Sequence, residues 1–198
     1  MPKKIKFDTY PFTIYIVPSN EHIYKTLESV KDVVPEGTHL VPDSESDNAR
    51  NFVVSNSRRH KMCKGTHSDY DNQSLFMCSY FVFLQTTQDP FDLLGFVTVM
   101  IEKEKQMYID LICSNPKYSG TGTFLLNFLK KIARHTEKTS IHANSTNDAI
   151  LFYKKKGFRI GKRDEKLGLS HVRLGVTKRK RPVKNYTRKQ QKHQKKII

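Results

Sequence analysis

No tryptophan occurs in this 198-residue chain, cysteine occurs three times, and 19 acids face 35 lysines and arginines. Each scarcity excludes something. Cysteines at positions 63, 78 and 113 are too few and too scattered for a disulfide framework, so a reducing, intracellular setting is expected. No stretch approaches the roughly 20 apolar residues of a membrane-spanning helix, so no membrane partner is expected. Behind Met1-Pro2-Lys3-Lys4 there is no apolar run, so no secretory leader is expected. A Gly-x4-Gly-Lys-Ser/Thr run is missing too, which removes the nucleoside-triphosphate loop.

The shortage of acid is sharpest at the C-terminal end. Residues Thr177 to Ile198 hold ten of the lysines and arginines and no acid, so removing them takes the net charge from +16 to +6. Such a segment lacks the apolar surface that offsets ordering entropy, so 177–198 is expected to be a disordered tail after a domain at 1–176. Its run Lys178-Arg179-Lys180-Arg181-Pro182 reads as a nuclear-import signal or a nucleic-acid patch. Phosphate neutralisation there would give salt-sensitive binding without sequence preference.

What is present alternates between strand-like and helix-like runs. Phe12–Val17 is rich in β-branched and aromatic residues and predicts a strand. Ser19 then caps a helix to about Val34, with Ile23, Leu27 and Val30 on one face. Residues 36–74 are polar and are expected to form an irregular insertion. Strands are predicted at Leu75–Gln85, Leu93–Glu102 and Met107–Cys113, joined by turns short enough for antiparallel hairpins. A helix over Thr121–His135 buries Leu125, Leu126, Phe128, Leu129 and Ile132. A strand at Ser140–Ala143, a helix at Asn147–Lys156 stopped by Gly157, and strands at Phe158–Gly161 and Val172–Val176 complete an α/β fold with a mixed sheet.

The stretch NPKYSGTGTFLLNFLKKIARH, from Asn115 to His135, holds the strongest local signal. Gly120 and Gly122 let a ligand approach the backbone, and amides from Ser119 to Thr123 open into a helix N-terminus, an arrangement suited to anions. A dinucleotide fingerprint would need glycine where Leu125 stands. About twenty residues on lies NSTNDAILFYKKKGF, from Asn144 to Phe158.

Together the two stretches resemble the GCN5-related N-acetyltransferase family, over roughly Leu93 to Val176. That family opens a helix with Q/R-x-x-G-x-G/A, matched here by Lys117, Gly120 and Gly122, with lysine in place of Gln or Arg. Its later A-x-x-x-Tyr-x-x-x-Gly-Phe pattern is matched by Ala149, Tyr153, Gly157 and Phe158. The resemblance implies a mostly antiparallel mixed sheet flanked by helices and splayed between its fourth and fifth strands, with acetyl-CoA as cosubstrate. It implies that Lys117, Tyr118, Ser119, Gly120, Thr121, Gly122 and Thr123 cradle the pyrophosphate. Backbone groups of Leu111, Ile112 and Cys113 would bind the pantetheine arm between Ile109–Ser114 and Ser140–Asn144, and Tyr153 would protonate the leaving thiolate.

Other residues carry two readings. Asn144 and Asn147 are cofactor contacts or helix caps. Asp110, a carboxylate inside an apolar strand, is the base for the amine or an ion-paired surface group; Glu102 and Glu104 are further candidates, and ordered water could serve instead. Cys113 reads as a core thiol. His60, Cys63, His67 and Cys78 fit no common zinc spacing. Asp43, Glu45, Asp47, Asp69, Asp71, Asp89 and Asp92 would favour a cationic acceptor, a polyamine or a lysine in a basic protein segment, bound by a monomer or homodimer.

Overall fold

The computed structural model describes residues 4–9, 11–63, 68–88, 91–103 and 105–176. The expectations for the tail, with Lys178–Arg181, and for His67, Asp89 and Glu104 lie outside these residues, as do those for the side chains of Asp69, Asp71 and Glu102. In chain order the elements are β1 (Ile5–Lys6), β2 (Phe12–Pro18), α1 (Glu21–Glu28), β3 (Thr38–Leu40), α2 (Ser46–Arg59), α3 (Ser68–Met77), β4 (Tyr80–Thr86) and β5 (Leu93–Lys103). They continue with β6 (Gln106–Ser114), β7 (Tyr118–Ser119), α4 (Thr121–His135), β8 (Ser140–Ser145), α5 (Asn147–Lys155), β9 (Arg159–Asp164) and β10 (Leu169–Gly175).

Eight strands form one mixed sheet in the order β3-β2-β4-β5-β6-β8-β10-β9. The hairpins β4–β5 and β5–β6 are antiparallel as expected, while β2–β3 and β6–β8 run parallel. One apolar core lies on the face covered by α1, α4 and α5, through Leu27, Leu125, Leu129, Ile132 and Tyr153. A second lies on the opposite face, where Val53 of α2 and Leu75 of α3 pack on Phe81, Phe83 and Phe96. Helix α4 matches its predicted bounds because its apolar stripe has the full helical period. Gly157 adopts φ +86° just after α5, the left-handed stop its position predicts. No helix among the described residues is long and apolar enough to cross a membrane.

Four expectations change. Helix α1 is shorter than predicted, and its cap is Asn20, whose side chain accepts from the Ile23 amide at 3.0 Å. Residues 36–74 are not irregular where the structure describes them. They hold β3, α2 and most of α3. The inward stripe of α2 is Ser46, Arg50, Val53 and Ser57, helical in spacing but almost without apolar residues, so hydrophobic periodicity missed it. Arg50 is buried there because its guanidinium donates to Ser46 Oγ at 3.0 Å, Asp47 at 3.1 Å and the Leu75 carbonyl at 3.4 Å.

Leu75 ends α3 rather than starting a strand, since a short apolar run fits either period. The fourth change concerns the cysteines. Cys63, after α2, is joined in a disulfide to Cys113 of β6, with Cα atoms 5.2 Å apart across 50 positions. Spacing could not reveal that pairing, because tertiary packing brings the two together. Cys78 is a buried thiol, pushed up to about 12 chiefly by burial. Non-reducing peptide mapping should recover Cys63 linked to Cys113, with Cys78 alkylated only after unfolding; a free Cys63 would contradict the pairing.

Candidate active site

The site begins with one extra residue. Along β5–β6, Thr98 faces Leu111 and Val99 faces Ile109, which leaves Asp110 opposite nothing. This is a β-bulge, which bends the strand that carries it. On its other edge β6 pairs with β8 from Gln106↔Ser140 to Ile109↔Ala143 and no further. From Asp110 onward the two strands part, which is the expected splay.

The bulge is pinned by a directional chain. The Leu111 amide donates to Thr98 Oγ1 at 3.0 Å, that hydroxyl meets Ser74 Oγ at 2.7 Å, and Ser74 donates to Asp110 Oδ2. Asp110 is thereby committed to α3. Strand alternation also decides which backbone groups face the gap. The Leu111 and Asn115 amides point toward β5, the latter to the Leu94 carbonyl at 2.9 Å, and Cys113 shares their phase. Ile112 and Ser114 therefore offer their amides and carbonyls to the gap, whereas Leu111 and Cys113 do not. Sequence reasoning missed Ser114, since the register was not legible.

At the open end of the gap stands the glycine turn. Gly120 has φ +95° and caps α4 without any side-chain hydrogen bond, so the first amides of the helix have no capping acceptor. A Cβ on Gly122 would lie 3.2 Å from Ser114 Oγ and 3.6 Å from the Phe152 ring, so glycine keeps a cleft open between β6, α4 and α5. Thr121 is fully buried and its Oγ1 lacks a hydrogen-bond partner. Orphaned amides, an unpartnered hydroxyl and a cleft that a Cβ would fill together fit a phosphate-bearing ligand. The N-terminal strand supports this turn: β1 pairs with β7, and Phe7 packs on Gly120 and the Phe124 ring.

Lys117 and Tyr118 do not belong to that cradle. Their amides are taken by Asn115, at 3.1 and 3.0 Å. Their side chains turn to Asp92, with Lys117 Nζ at 3.6 Å and the Tyr118 hydroxyl at 3.3 Å. The same carboxylate holds Arg59 and His60 at the end of α2, each at 2.8 Å. Ser119 donates its hydroxyl to the Ile5 carbonyl, at 3.3 Å. The cradle thus narrows to Gly120, Thr121, Gly122 and Thr123. Of His60, Cys63, His67 and Cys78, which fit no common zinc spacing, His60 serves Asp92 and Cys63 is bonded to Cys113.

Tyr153 sits on α5, 4% exposed, edge-on to the Phe152 and Phe158 rings. Burial first, then the nearby Tyr108, holds its hydroxyl above the usual tyrosine range, so it keeps its proton at neutral pH. Asn147 is exposed in the first turn of α5, whose cap residue is Thr146. Asn144 lines a groove of about 440 Å³ with Gln106, Tyr108, His142 and His171, beside the point where β6 and β8 part. Helices α2 and α3 lie over β2, β5 and β6 on this face, and the groove occupies the part they leave open.

Two experiments test these assignments. Ser74→Ala should lower the unfolding free energy by about 1–3 kcal/mol, and Asp110→Asn, which keeps an acceptor, by less; urea denaturation reads both. Asp92 lies below its ordinary value: burial would raise it, but His60, Lys117 and Arg59 outweigh burial. Its stabilisation is full above its unfolded pKa of about 3.9 and fades as pH falls through the lower folded value. Asp92→Asn should therefore trail wild type at pH 7, with the gap closing below about pH 4. A gap independent of pH would refute this account.

With the geometry in hand, comparison with known proteins is informative. Residues 52–158 match the family model described as Acetyltransferase (GNAT) family. No curated protein matches the sequence. Among solved structures, Tetrahymena GCN5 is similar at 14% identity and TM-score 0.52, covering 73% of this chain and 94% of that one. The N-acetylglutamate synthase of Neisseria gonorrhoeae, complexed with coenzyme A and N-acetyl-glutamate, is similar at 16% identity and TM-score 0.47. That match covers 66% of this chain and 33% of the synthase. Nourseothricin acetyltransferase follows at 20% identity and TM-score 0.42, covering 50% of this chain and 65% of its own. This chain thus spans about a third of the synthase and about two thirds of the nourseothricin enzyme.

Proposed function

The chain belongs to the acetyltransferase (GNAT) family, and from that premise we propose that it transfers an acetyl group from acetyl-CoA to a primary amine by direct attack on the thioester. The observation that carries this is the meeting of three features: the gap between β6 and β8, the glycine turn at its mouth, and a protonated Tyr153 on α5. Acetyl-CoA supplies an activated acyl group on a good leaving thiolate. The first amides of α4 at Gly120–Thr123 hold its pyrophosphate, and the backbone of Ile112 and Ser114 orients the arm. Asn144 borders both gap and groove and is a contact for cofactor or acceptor. Tyr153 donates its proton to the departing sulfur. Asp110 holds the bulge, with its carboxylate given to Ser74, so we assign it a positioning role.

The acceptor reaches the thioester from the open groove. Of the acids expected there, Asp92 and Asp47 are paired with cations, and Asp43 lines a separate groove with Glu21 and Glu28. Among the described residues no carboxylate lines the groove beside the gap, and in register Arg173 shares a face with His142, and Arg159 with Arg173. Such surroundings disfavour a chain of several ammonium groups. Of the two acceptor classes, a single amine such as a lysine side chain suits them better than a polyamine.

Tyr153→Phe should lower kcat by about 10²-fold and leave the Kd for acetyl-CoA within about twofold. Thiol release and calorimetric titration measure the two. An unchanged kcat would remove Tyr153 as the acid, and no binding of acetyl-CoA by wild type would remove the function.

A further inference from the structure

The groove contains two histidines that the reaction above does not use. His142 Nδ1 and His171 Nε2 are 3.0 Å apart, and Ser140 Oγ lies 2.8 Å from His142 Nε2. Three of the four ring nitrogens are thereby engaged with one another or with Ser140. The fourth, His171 Nδ1, lies beside Gly161 of β9, where a Cβ would come within 3.5 Å of it. Among the described residues no hydrogen bond reaches this nitrogen, and His171 is exposed. His171 is exposed, whereas Ser140 is fully buried, so the chain has one closed end and one open end.

We propose that His171, oriented by His142 and Ser140, is the base that takes the proton from the acceptor amine in this groove. The proposal rests on the acetyl-transfer reading. In the tautomer required, His142 Nε2–H donates to Ser140 Oγ and His171 Nε2–H donates to His142 Nδ1. His171 Nδ1 then has a free lone pair, and protonating it disturbs no existing hydrogen bond. The groove adjoins the gap through Tyr108, which lines it from β6 one residue before the last β6–β8 pair. It also adjoins through Ile109↔Ala143, the last pair before the gap, with His142 and Asn144 on either side of Ala143.

Charge and atoms balance. The ammonium gives one proton to His171 Nδ1, directly or through one water. The freed lone pair forms the C–N bond as the C–S bond breaks, and its electrons go to sulfur, which Tyr153 protonates. Nitrogen's second proton leaves to solvent, from which Tyr153 recovers its own, and His171 releases its proton there. One proton is released per amide formed. His171 is the catalytic residue and His142 a positioning residue acting through it. Arg173 on β10 and Arg159 on β9 share this face by register.

Two probe amines separate proton removal from mere shape. Ethylamine is protonated at pH 7 and needs a base; 2,2,2-trifluoroethylamine is largely neutral there and does not. With the full chain and acetyl-CoA, His171→Asn and His142→Asn should each lower kcat/KM for ethylamine by about 10²-fold. For trifluoroethylamine the loss should stay under about threefold. Kd for acetyl-CoA and Tm serve as controls, and the exposed His171 is the safer site to replace. Equal losses for both amines, or no loss for ethylamine, would overturn the base while leaving acetyl transfer intact. No thiol release by wild type with either amine would remove acetyl transfer, and the base with it.

Discussion

The structure turns on the bulge at Asp110. One unpaired residue in β6 ends the ladder with β8, and everything attributed to the site lies along the resulting gap. Without it, Ile112 and Ser114 would spend their backbone on β8 and could not face a ligand. The bulge costs a ladder pairing, and the Leu111–Thr98–Ser74–Asp110 chain offsets that by satisfying the freed groups. Because the chain ends on α3, the helix over one face of the sheet also fixes the opening between two of its strands.

A second constraint ties the helical layer to the same strand. Asp92 gathers Arg59 and His60 from the end of α2 with Lys117 and Tyr118 from the turn before α4. A few residues on, Cys63 is linked to Cys113 of β6. The end of α2 is thus fastened twice to the sheet, at Asp92 beside β5 and at Cys113 of β6. On the other side of the turn, Phe7 and β1 brace Gly120. The turn before α4 is thus contacted both from Asp92 and from the N-terminal β1 and Phe7.

The groove and the gap open on different aspects of the sheet, which suits a transfer between two ligands. The polar alternation of His142 and Asn144 in β8, with Ile141 and Ala143 buried between and beside them, gives one strand a wall in the core and a floor in the groove. A charge cluster elsewhere was expected to select the acceptor. Its best-placed member, Asp92, is instead neutralised within the fold, because a buried carboxylate needs cations to pair with it.

Much of this was legible in the residues. The period of α4, the paired hairpins, the stop at Gly157, the two glycines and the tyrosine on α5 are local patterns, and local patterns are written in adjacent residues. Helix α2 was not legible, since its buried stripe is serine and arginine satisfied by hydrogen bonds rather than apolar burial. The sequence by itself determined where glycine frees the backbone before α4 and where a tyrosine stands on α5, because both belong to residue type and local pattern. Tertiary structure alone decided the partners: Asp110 with Ser74, Lys117 with Asp92, Cys63 with Cys113, His142 with His171. Each of these pairs joins residues 25 or more positions apart, and only the packing of the sheet and its two faces brings them within bonding distance.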